Sequence, residues 1–175
     1  QSGPGGGFSS PPGKPFSQTL KCFMEIIQFS PALALGNAQM DDTHREFVAL
    51  LNRIDSAPED QRVAALDEFI AHSETHFAQE QQWMEEKQFP PLHCHVREHE
   101  GVLDITREVR NRVAAGETHL ASVLAKAVAE WFTLHVTSMD AVLATFLAQP
   151  GQVPGDAPVA GCAPLCAHAP AATAT

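Results

Sequence analysis

The chain has 175 residues, 44% of them hydrophobic, which suits one domain with a buried core. Asp and Glu total 21 against 11 Lys and Arg, and the net charge of −10 argues against nucleic acid as a partner, because phosphates would be repelled. No apolar run approaches the roughly 18 residues of a membrane span, and no signal-peptide pattern begins the chain. We therefore expect a soluble, cytoplasmic protein that does not bind membranes.

The two ends of the chain differ in composition from its middle. Residues 1–20 are rich in Gly, Ser and Pro and predict a flexible, linker-like segment. Residues 150–175 are rich in Ala, Pro and Gly and predict a disordered tail, in which we interpret Cys162 and Cys166 as incidental thiols. The domain is expected over residues 21–149, beginning with an N-terminal arm packed on it.

Apolar residues at three- and four-residue steps predict two helices in the first half of the domain. The first runs from about Met40 to just before Pro58, and the second over about 59–87. Ser56 and Glu59 resemble a capping box for the second helix. The inward face of the first helix comprises Met40, His44, Phe47, Val48, Leu51 and Ile54. That of the second comprises Leu66, Phe69, Ser73, His76, Phe77, Glu80 and Met84.

Two more helices are predicted after the break at Pro90 and Pro91. The third runs over about 92–115, where Gly116 is placed to end it, and the fourth over about 117–148. Their inward faces comprise Leu92, His95, His99, Val102, Leu103, Thr106, Val109 and Val113, then Leu120, Leu124, Val128, Trp131, His135, Met139, Val142 and Phe146. Long helices joined by short connections predict an all-α, up-down-up-down antiparallel four-helix bundle.

Each predicted helix carries at least one imidazole on its apolar face. These histidines are His44, His76, His95, His99 and His135, and Glu80 lies in phase with them. One such histidine is usually an ordinary core residue, but five in a cluster would each cost about 1–3 kcal/mol if unpaired. A metal removes that cost. Imidazoles with carboxylates and no inward thiolate suit a bridged pair of octahedral ions, which favours di-iron over dimanganese or dizinc.

Four strings, in order and at helix-length spacing, resemble the hemerythrin-like (HHE cation-binding) family, and specifically its bacterial members, over about 29–147. They are Met40-Asp41-Asp42-Thr43-His44, His76-Phe77-Ala78-Gln79-Glu80, Phe89-Pro90 with His95-Val96-Arg97-Glu98-His99, and Trp131-Phe132-Thr133-Leu134-His135 with Asp140. The chain departs from many relatives at Gln81, where they have a second acid, and its arm carries Phe29 as the aromatic residue. Neither departure removes a ligand.

The resemblance implies a ligand set for two iron ions, Fe2+ or Fe3+, joined by an oxo or hydroxo group. His95, His99 and His135 would hold one iron. His44 and His76 would hold the other, which keeps an open position for O2. Glu80 and Asp140 would bridge the two irons. The remaining histidines, His72, His93, His119 and His168, have no place in this set.

The spacing of Asp140 conflicts with a regular helix. It follows His135 by five residues, and five steps of about 100° turn it about 140° past a full circle. Both side chains cannot then face the same metals. We therefore predict a π-bulge or kink between them, a distortion that often marks functional sites.

The resemblance implies reversible O2 binding for storage, delivery or sensing, the last with a fused or partner signalling domain. Alternatives are a redox sensor, a di-iron oxidase, peroxidase or nitric-oxide scavenger, or an iron-handling protein. Carboxylate-rich di-iron enzymes use paired Glu-x-x-His motifs, which this chain lacks, so we expect binding and not catalysis. Candidates for the wall of an O2 pocket, each equally explicable as ordinary core, are Phe47, Phe77, Trp83, Leu103, Trp131 and Met139.

Overall fold

A computed structural model describes residues 25–149. The predicted flexible segment 1–20 and tail 150–175, with Cys162, Cys166 and His168, lie outside these residues. The helices are α1 (Ala38–Ser56), α2 (Arg62–Glu86), α3 (Leu92–Ala114), α4 (Leu120–His135) and α5 (Ala141–Ala148), and a π-helical segment (Val136–Asp140) joins α4 to α5 without a break. Short 3-10 turns occur at Pro31–Leu33 and Glu59–Gln61, and no strand is present between residues 25 and 149.

The helices close into a four-helix bundle. Helix α1 packs against α2 and α4, and α3 packs against the same two neighbours. Because each connection is only a few residues long, consecutive helices run antiparallel. The α4–π–α5 unit acts as the single fourth helix of the bundle. The predicted all-α, up-down-up-down architecture is confirmed.

The helix ends agree with the predictions only in part. Helix α1 starts two residues early because the side chain of Asn37 accepts the N–H groups of Gln39 and Met40. Gly116, with φ +109°, ends α3 as expected. The predicted capping box is wrong, because Ser56 is still inside α1 and its hydroxyl donates to the carbonyl of Arg53. A residue in helical conformation cannot take the extended geometry of an N-cap.

The N-terminal arm is tied to α1 by two polar side chains. Asn52 accepts the N–H of Ile26 at 2.8 Å and donates to the carbonyl of Ile27 at 2.8 Å. The buried carboxylate of Asp41 accepts the N–H groups of Leu35 and Gly36. These bonds satisfy backbone groups that no helix or sheet serves, so the described part of the arm packs on the domain as predicted.

The core consists of two apolar clusters with a polar layer between them. The larger cluster is built around Phe47, Phe69, Phe77 and Phe132, and the smaller around Met40, Met84, Phe89, Leu143 and Phe146. On α1, His44 lies between Met40 of the smaller cluster and Phe47 of the larger. The candidate site is thus enclosed by apolar side chains at both ends.

The fourth helix is long and apolar enough, by length and composition alone, to cross a membrane over Leu120–Ala148. Lys126 and Glu130 divide its apolar residues, so the helix contains no uninterrupted apolar run of the length that the sequence prediction required. This helix packs against α1 and α3 and carries the buried His135 and Asp140. A core helix of a bundle meets the same criterion, so the finding is weak evidence for a membrane span.

Candidate metal centre

The structure brings all seven predicted ligand residues together in the polar layer. Each is at most 6% exposed. Their ligand-type atoms form two overlapping groups, each with all atoms within 4.8 Å of one another. The larger group comprises Glu80, His95, His99, His135 and Asp140, and the smaller comprises His44, His76 and Glu80.

Three imidazoles converge in the larger group. The Nε2 atom of His135 lies 2.9 Å from Nε2 of His99 and 3.0 Å from Nε2 of His95. Such close approach of three nitrogens around one point is the geometry expected of ligands to a common ion. Helices α1 and α2 supply the smaller group, in which the centroids of the His44 and His76 rings lie 5.1 Å apart.

Each carboxylate directs one oxygen to each group. Glu80 Oε2 lies 3.4 Å from His95 Nε2 and Oε1 lies 3.0 Å from His76 Nε2. Asp140 Oδ1 lies 3.0 Å from His95 Nε2 and 3.1 Å from His135 Nε2, whereas Oδ2 lies 3.4 Å from His44 Nε2. A carboxylate with its two oxygens divided in this way can bridge two metal ions.

The predicted π-bulge is confirmed. The π-helical segment separates His135 from Asp140, and the N–H of Ala141 donates to the carbonyl of Val136, five residues back. The extra residue in the turn lets both side chains face the interior. The hydroxyls of Thr137 and Ser138 donate to the carbonyls of Thr133 and Leu134, at 2.8 and 2.6 Å, and so engage backbone acceptors at the distortion.

Buried polar atoms without a hydrogen-bond partner concentrate at this site. Of the ten such side-chain atoms among the described residues, eight belong to candidate ligands. They are the Nδ1 atoms of His44, His76, His95 and His135, with His44 Nε2, Glu80 Oε2 and both carboxylate oxygens of Asp140. Four of the eight are atoms that would bind metal directly, so a pair of cations fits this donor set.

The pKa values describe a site organised for positive charge. Burial raises the pKa of Glu80, but attraction by His76 and the close approach of the His44, His76 and His95 imidazoles hold it well below its usual value. Burial and Glu80 raise the pKa of Asp140, and His135 and His95 outweigh them, so that it too is lowered. Both carboxylates are therefore ionised at neutral pH.

The imidazoles of the larger group differ from one another in pKa. Burial lowers the pKa of His95, but the adjacent carboxylates of Asp140 and Glu80 raise it to about 9. Burial, with repulsion from His135 and His95, takes the pKa of His99 well below its usual value. In the metal-free protein a proton on His95 therefore occupies the place of a cation, and metal binding must displace it.

Aromatic rings enclose the imidazoles. Phe77 stacks on His99 with centroids 3.8 Å apart, and Trp131 stacks on His135 at 4.4 Å. The Trp131 indole N–H donates to Glu98 at 3.1 Å, which fixes that ring. Sterically held ligand rings need less reorganisation when a metal binds.

Different aromatic rings, those of Phe47 and Phe132, contact the smaller group, and only Phe47 was among the predicted pocket residues. Phe132 meets His44 edge-on at 5.2 Å and stacks on Phe47 at 4.4 Å. Phe47 also lies 6.0 Å from His76. Phe132 was not among the predicted pocket residues, although its position three residues before His135 placed it on the metal-facing side of α4.

The other predicted pocket residues are dispersed. Leu103 packs at the edge of the larger cluster, and Met139 is half-buried within the π-helical segment. Trp83 packs against the smaller cluster, across the polar layer from Phe47. Of these three, Leu103 therefore shares the larger cluster with Phe47, Phe77 and Trp131, whereas Trp83 lies against the smaller one.

Two histidines outside the ligand set are exposed and a third is not. His93 and His119 lie at the surface. The His72 side chain is only 14% exposed, and its Nδ1 lies 3.5 Å from Glu46 Oε2. Burial and the neighbouring His76 lower the pKa of His72. None of the three belongs to either ligand group.

Comparisons with known proteins agree with this arrangement. A family model described as hemerythrin HHE cation binding domain matches residues 35–147. A protein named bacteriohemerythrin from Ralstonia nicotianae (strain ATCC BAA-1114 / GMI1000) is 51% identical over 128 residues, which cover 73% of this chain and 93% of the relative. Another bacteriohemerythrin, from Stenotrophomonas maltophilia (strain R551-3), is 29% identical over 121 residues, 67% of this chain and 78% of the relative. The chain belongs to the hemerythrin HHE cation-binding family.

Proposed function

We propose that this chain binds two iron ions and through them binds O2 reversibly. The observation that carries the proposal is the division of the Glu80 and Asp140 oxygens between two groups of imidazoles. One ion alone would need neither the second group nor two bridging carboxylates. The bacteriohemerythrin relatives support the choice of iron.

In this proposal each ligand has a stated place. His95, His99 and His135 hold one iron, and His44 and His76 hold the other. Glu80 and Asp140 would be shared by the two irons, and an oxo or hydroxo group would join them. When bound, the iron pair supplies the two electrons that O2 binding requires.

The unequal imidazole count decides which iron receives O2. His95, His99 and His135 would give one ion three imidazoles, whereas His44 and His76 would give the other only two, so O2 would bind on the His44–His76 side. The buried rings of Phe47 and Phe132 line that side and keep water away from it. Exclusion of water favours return of O2 over irreversible oxidation of the site.

Binding, and not catalysis, is proposed as the activity. Neutral imidazoles stabilise reduced iron and disfavour the highly oxidised states that oxygenation needs. Storage, delivery and sensing would use the same site, and an oxidase, peroxidase or redox-sensor role is an outcome of the test below. A cytoplasmic location and the lack of nucleic-acid and membrane partners remain predictions from the sequence.

Residues 21–149 are proposed as the unit that folds around the site. Support comes from the match of the family model over 35–147, which falls inside that range. The N-terminal arm also supports this range, because the Asn52 and Asp41 side chains accept hydrogen bonds from its backbone N–H groups.

The test is iron analysis combined with visible absorption of the reduced protein before and after exposure to air. We expect two irons per chain and an absorption band that forms in air, disappears on deoxygenation and returns. The variant His44→Ala should lose one iron and the band, whereas His93→Ala, which alters an exposed histidine of α3, should retain both. Immediate, permanent oxidation would favour the sensor or enzyme alternatives, and absence of iron would refute the proposal.

A further inference from the structure

One turn of α2 contains three buried polar atoms without a partner: His72 Nε2, Ser73 Oγ and His76 Nδ1. His76 is a candidate ligand, but His72 and Ser73 belong to neither ligand group, so metal ions would leave their atoms unsatisfied. Ser73 is fully buried. Because unsatisfied buried polar atoms are costly, three of them within one turn indicate a common partner.

The two nitrogens of His72 have different surroundings. Nδ1 faces α1, where it lies 3.5 Å from Glu46 Oε2, and the backbone of Thr43 also bonds to this ring. These acceptors place the proton of the neutral ring on Nδ1. Nε2 then carries a lone pair inside the bundle and requires a donor.

One water molecule could serve all three atoms. The His72 and His76 rings are neighbours, with centroids 6.0 Å apart, and a bridging water forms a hydrogen bond of about 2.8 Å to each of two groups. Buried waters typically have two to four polar partners, and this turn offers three.

We propose that His72 and Ser73 hold one buried water molecule that orients the His76 ring. The water donates to His72 Nε2, accepts the Ser73 hydroxyl proton and bonds to His76 Nδ1. In the metal-free chain the His76 N–H lies on Nε2, 3.0 Å from the ionised Glu80 Oε1, so the water donates to Nδ1; an ion bound at Nε2 would place the N–H on Nδ1, where the water accepts it. His72 and Ser73 are thus positioning residues.

The consequence for iron rests on the proposed function. The ion held by His44 and His76 has two imidazoles and the other has three, so it depends more on each ligand. Loss of a hydrogen-bonding partner behind a metal-binding histidine typically lowers metal affinity about 10- to 100-fold. We expect that loss for the His44–His76 ion alone.

The test uses the full chain, the variants Ser73→Ala and His72→Phe, and Thr106→Val as the matched control. Thr106 is another fully buried hydroxyl, on α3, but it already donates to the Val102 carbonyl at 2.7 Å. The metal-free wild-type protein is crystallised to locate the water. Crystals of the metal-free variants show whether the water is retained, and anaerobic Fe2+ titration measures the affinity for each ion.

We expect an ordered water within hydrogen-bonding distance of His72 Nε2, Ser73 Oγ and His76 Nδ1 in the wild type and in Thr106→Val. Ser73→Ala and His72→Phe should lose that water and bind the second Fe2+ about 10- to 100-fold more weakly, with the first unchanged. No water at this position in the wild type, or unchanged affinity for the second Fe2+ in both variants, overturns the proposal. A wild type that binds fewer than two irons refutes the proposed function instead, and the metal-free measurements still decide on the water.

Discussion

Raising the pH is predicted to destabilise the metal-free protein through His95. Its pKa is about 9 in the folded chain, against 6.5 for an ordinary histidine. Because the folded value is the higher one, the stabilisation is fully present below pH 6.5 and is lost as the pH rises to 9. A pKa difference of about 2.5 corresponds to on the order of 3 kcal/mol in the free energy of unfolding.

Other buried histidines act in a separate pH range. Burial, together with neighbouring histidines, lowers the pKa values of His99 and His72. Their contribution to the free energy of unfolding is therefore fully present above the ordinary histidine pKa and is lost as the pH falls below it. Stability of the metal-free protein should therefore be greatest near pH 6.5 to 7. The decline on the alkaline side is due to His95.

Urea denaturation of the chelator-treated protein at about pH 6.5, 7.5 and 9 measures this effect. His95→Gln, which keeps a polar side chain but cannot titrate, is the control and should lack the alkaline decline. Iron-loaded protein should lack it as well, because the metal has already displaced the proton. Equal free energies of unfolding at pH 6.5 and 9, or the same decline in the control, would refute the reasoning.

Three further predictions concern the ligands, the π-helical segment and the aromatic wall. Glu80→Gln removes the bridging charge and should leave at most one iron per chain by metal analysis; full loading would contradict the bridging role. Deletion of Ser138 would leave Asp140 four residues after His135, a spacing at which both side chains lie on one face of a regular helix, so two-iron loading should persist without the π turn; loss of an iron would contradict the view that the extra residue serves only to keep both side chains on that face. Phe132→Ala should lower the free energy of unfolding of the metal-free protein by about 3–5 kcal/mol, because Phe132 is buried. The control Leu134→Ala, at a 67% exposed position, should lower it by under about 0.5 kcal/mol. Similar losses in the two variants would argue against a packed wall.

The helices and their buried faces were predictable because burial dominates both. Every residue assigned to the inward faces of α1 and α2, from Met40 to Met84, is buried in the structure. Along the third and fourth helices some assigned residues are only half-buried. Leu92 and Leu120 lie near helix ends, where fewer neighbours cover them, but the same holds away from the ends for Leu103, Val109, Trp131, Met139 and Val142.

The π-helical segment was predictable from counting residues. Two groups that must face one site, five residues apart, are incompatible with regular helix geometry, so His135 and Asp140 required an extra residue in the turn. The prediction depended on assigning Asp140 as a ligand, which the resemblance supplied. Periodicity alone would have placed Asp140 off the inward face.

Features that depend on tertiary geometry were not predictable. Phe132 matters because it contacts His44 on another helix. The sequence prediction placed its neighbour Trp131, and not Phe132, on the inward face of the fourth helix. The capping-box prediction failed because a local pattern at Ser56 and Glu59 says nothing about how far α1 continues. The division of the Glu80 and Asp140 oxygens between two sides likewise follows only from the packed helices.

Diffraction at the iron absorption edge from crystals of the iron-loaded protein tests the central claim most directly. The account predicts two anomalous peaks roughly 3.5 Å apart. One should lie among His95, His99 and His135 and the other beside His44 and His76, with Glu80 and Asp140 bound to both. A single peak, or a second peak that the two carboxylates do not touch, would contradict the shared di-iron site.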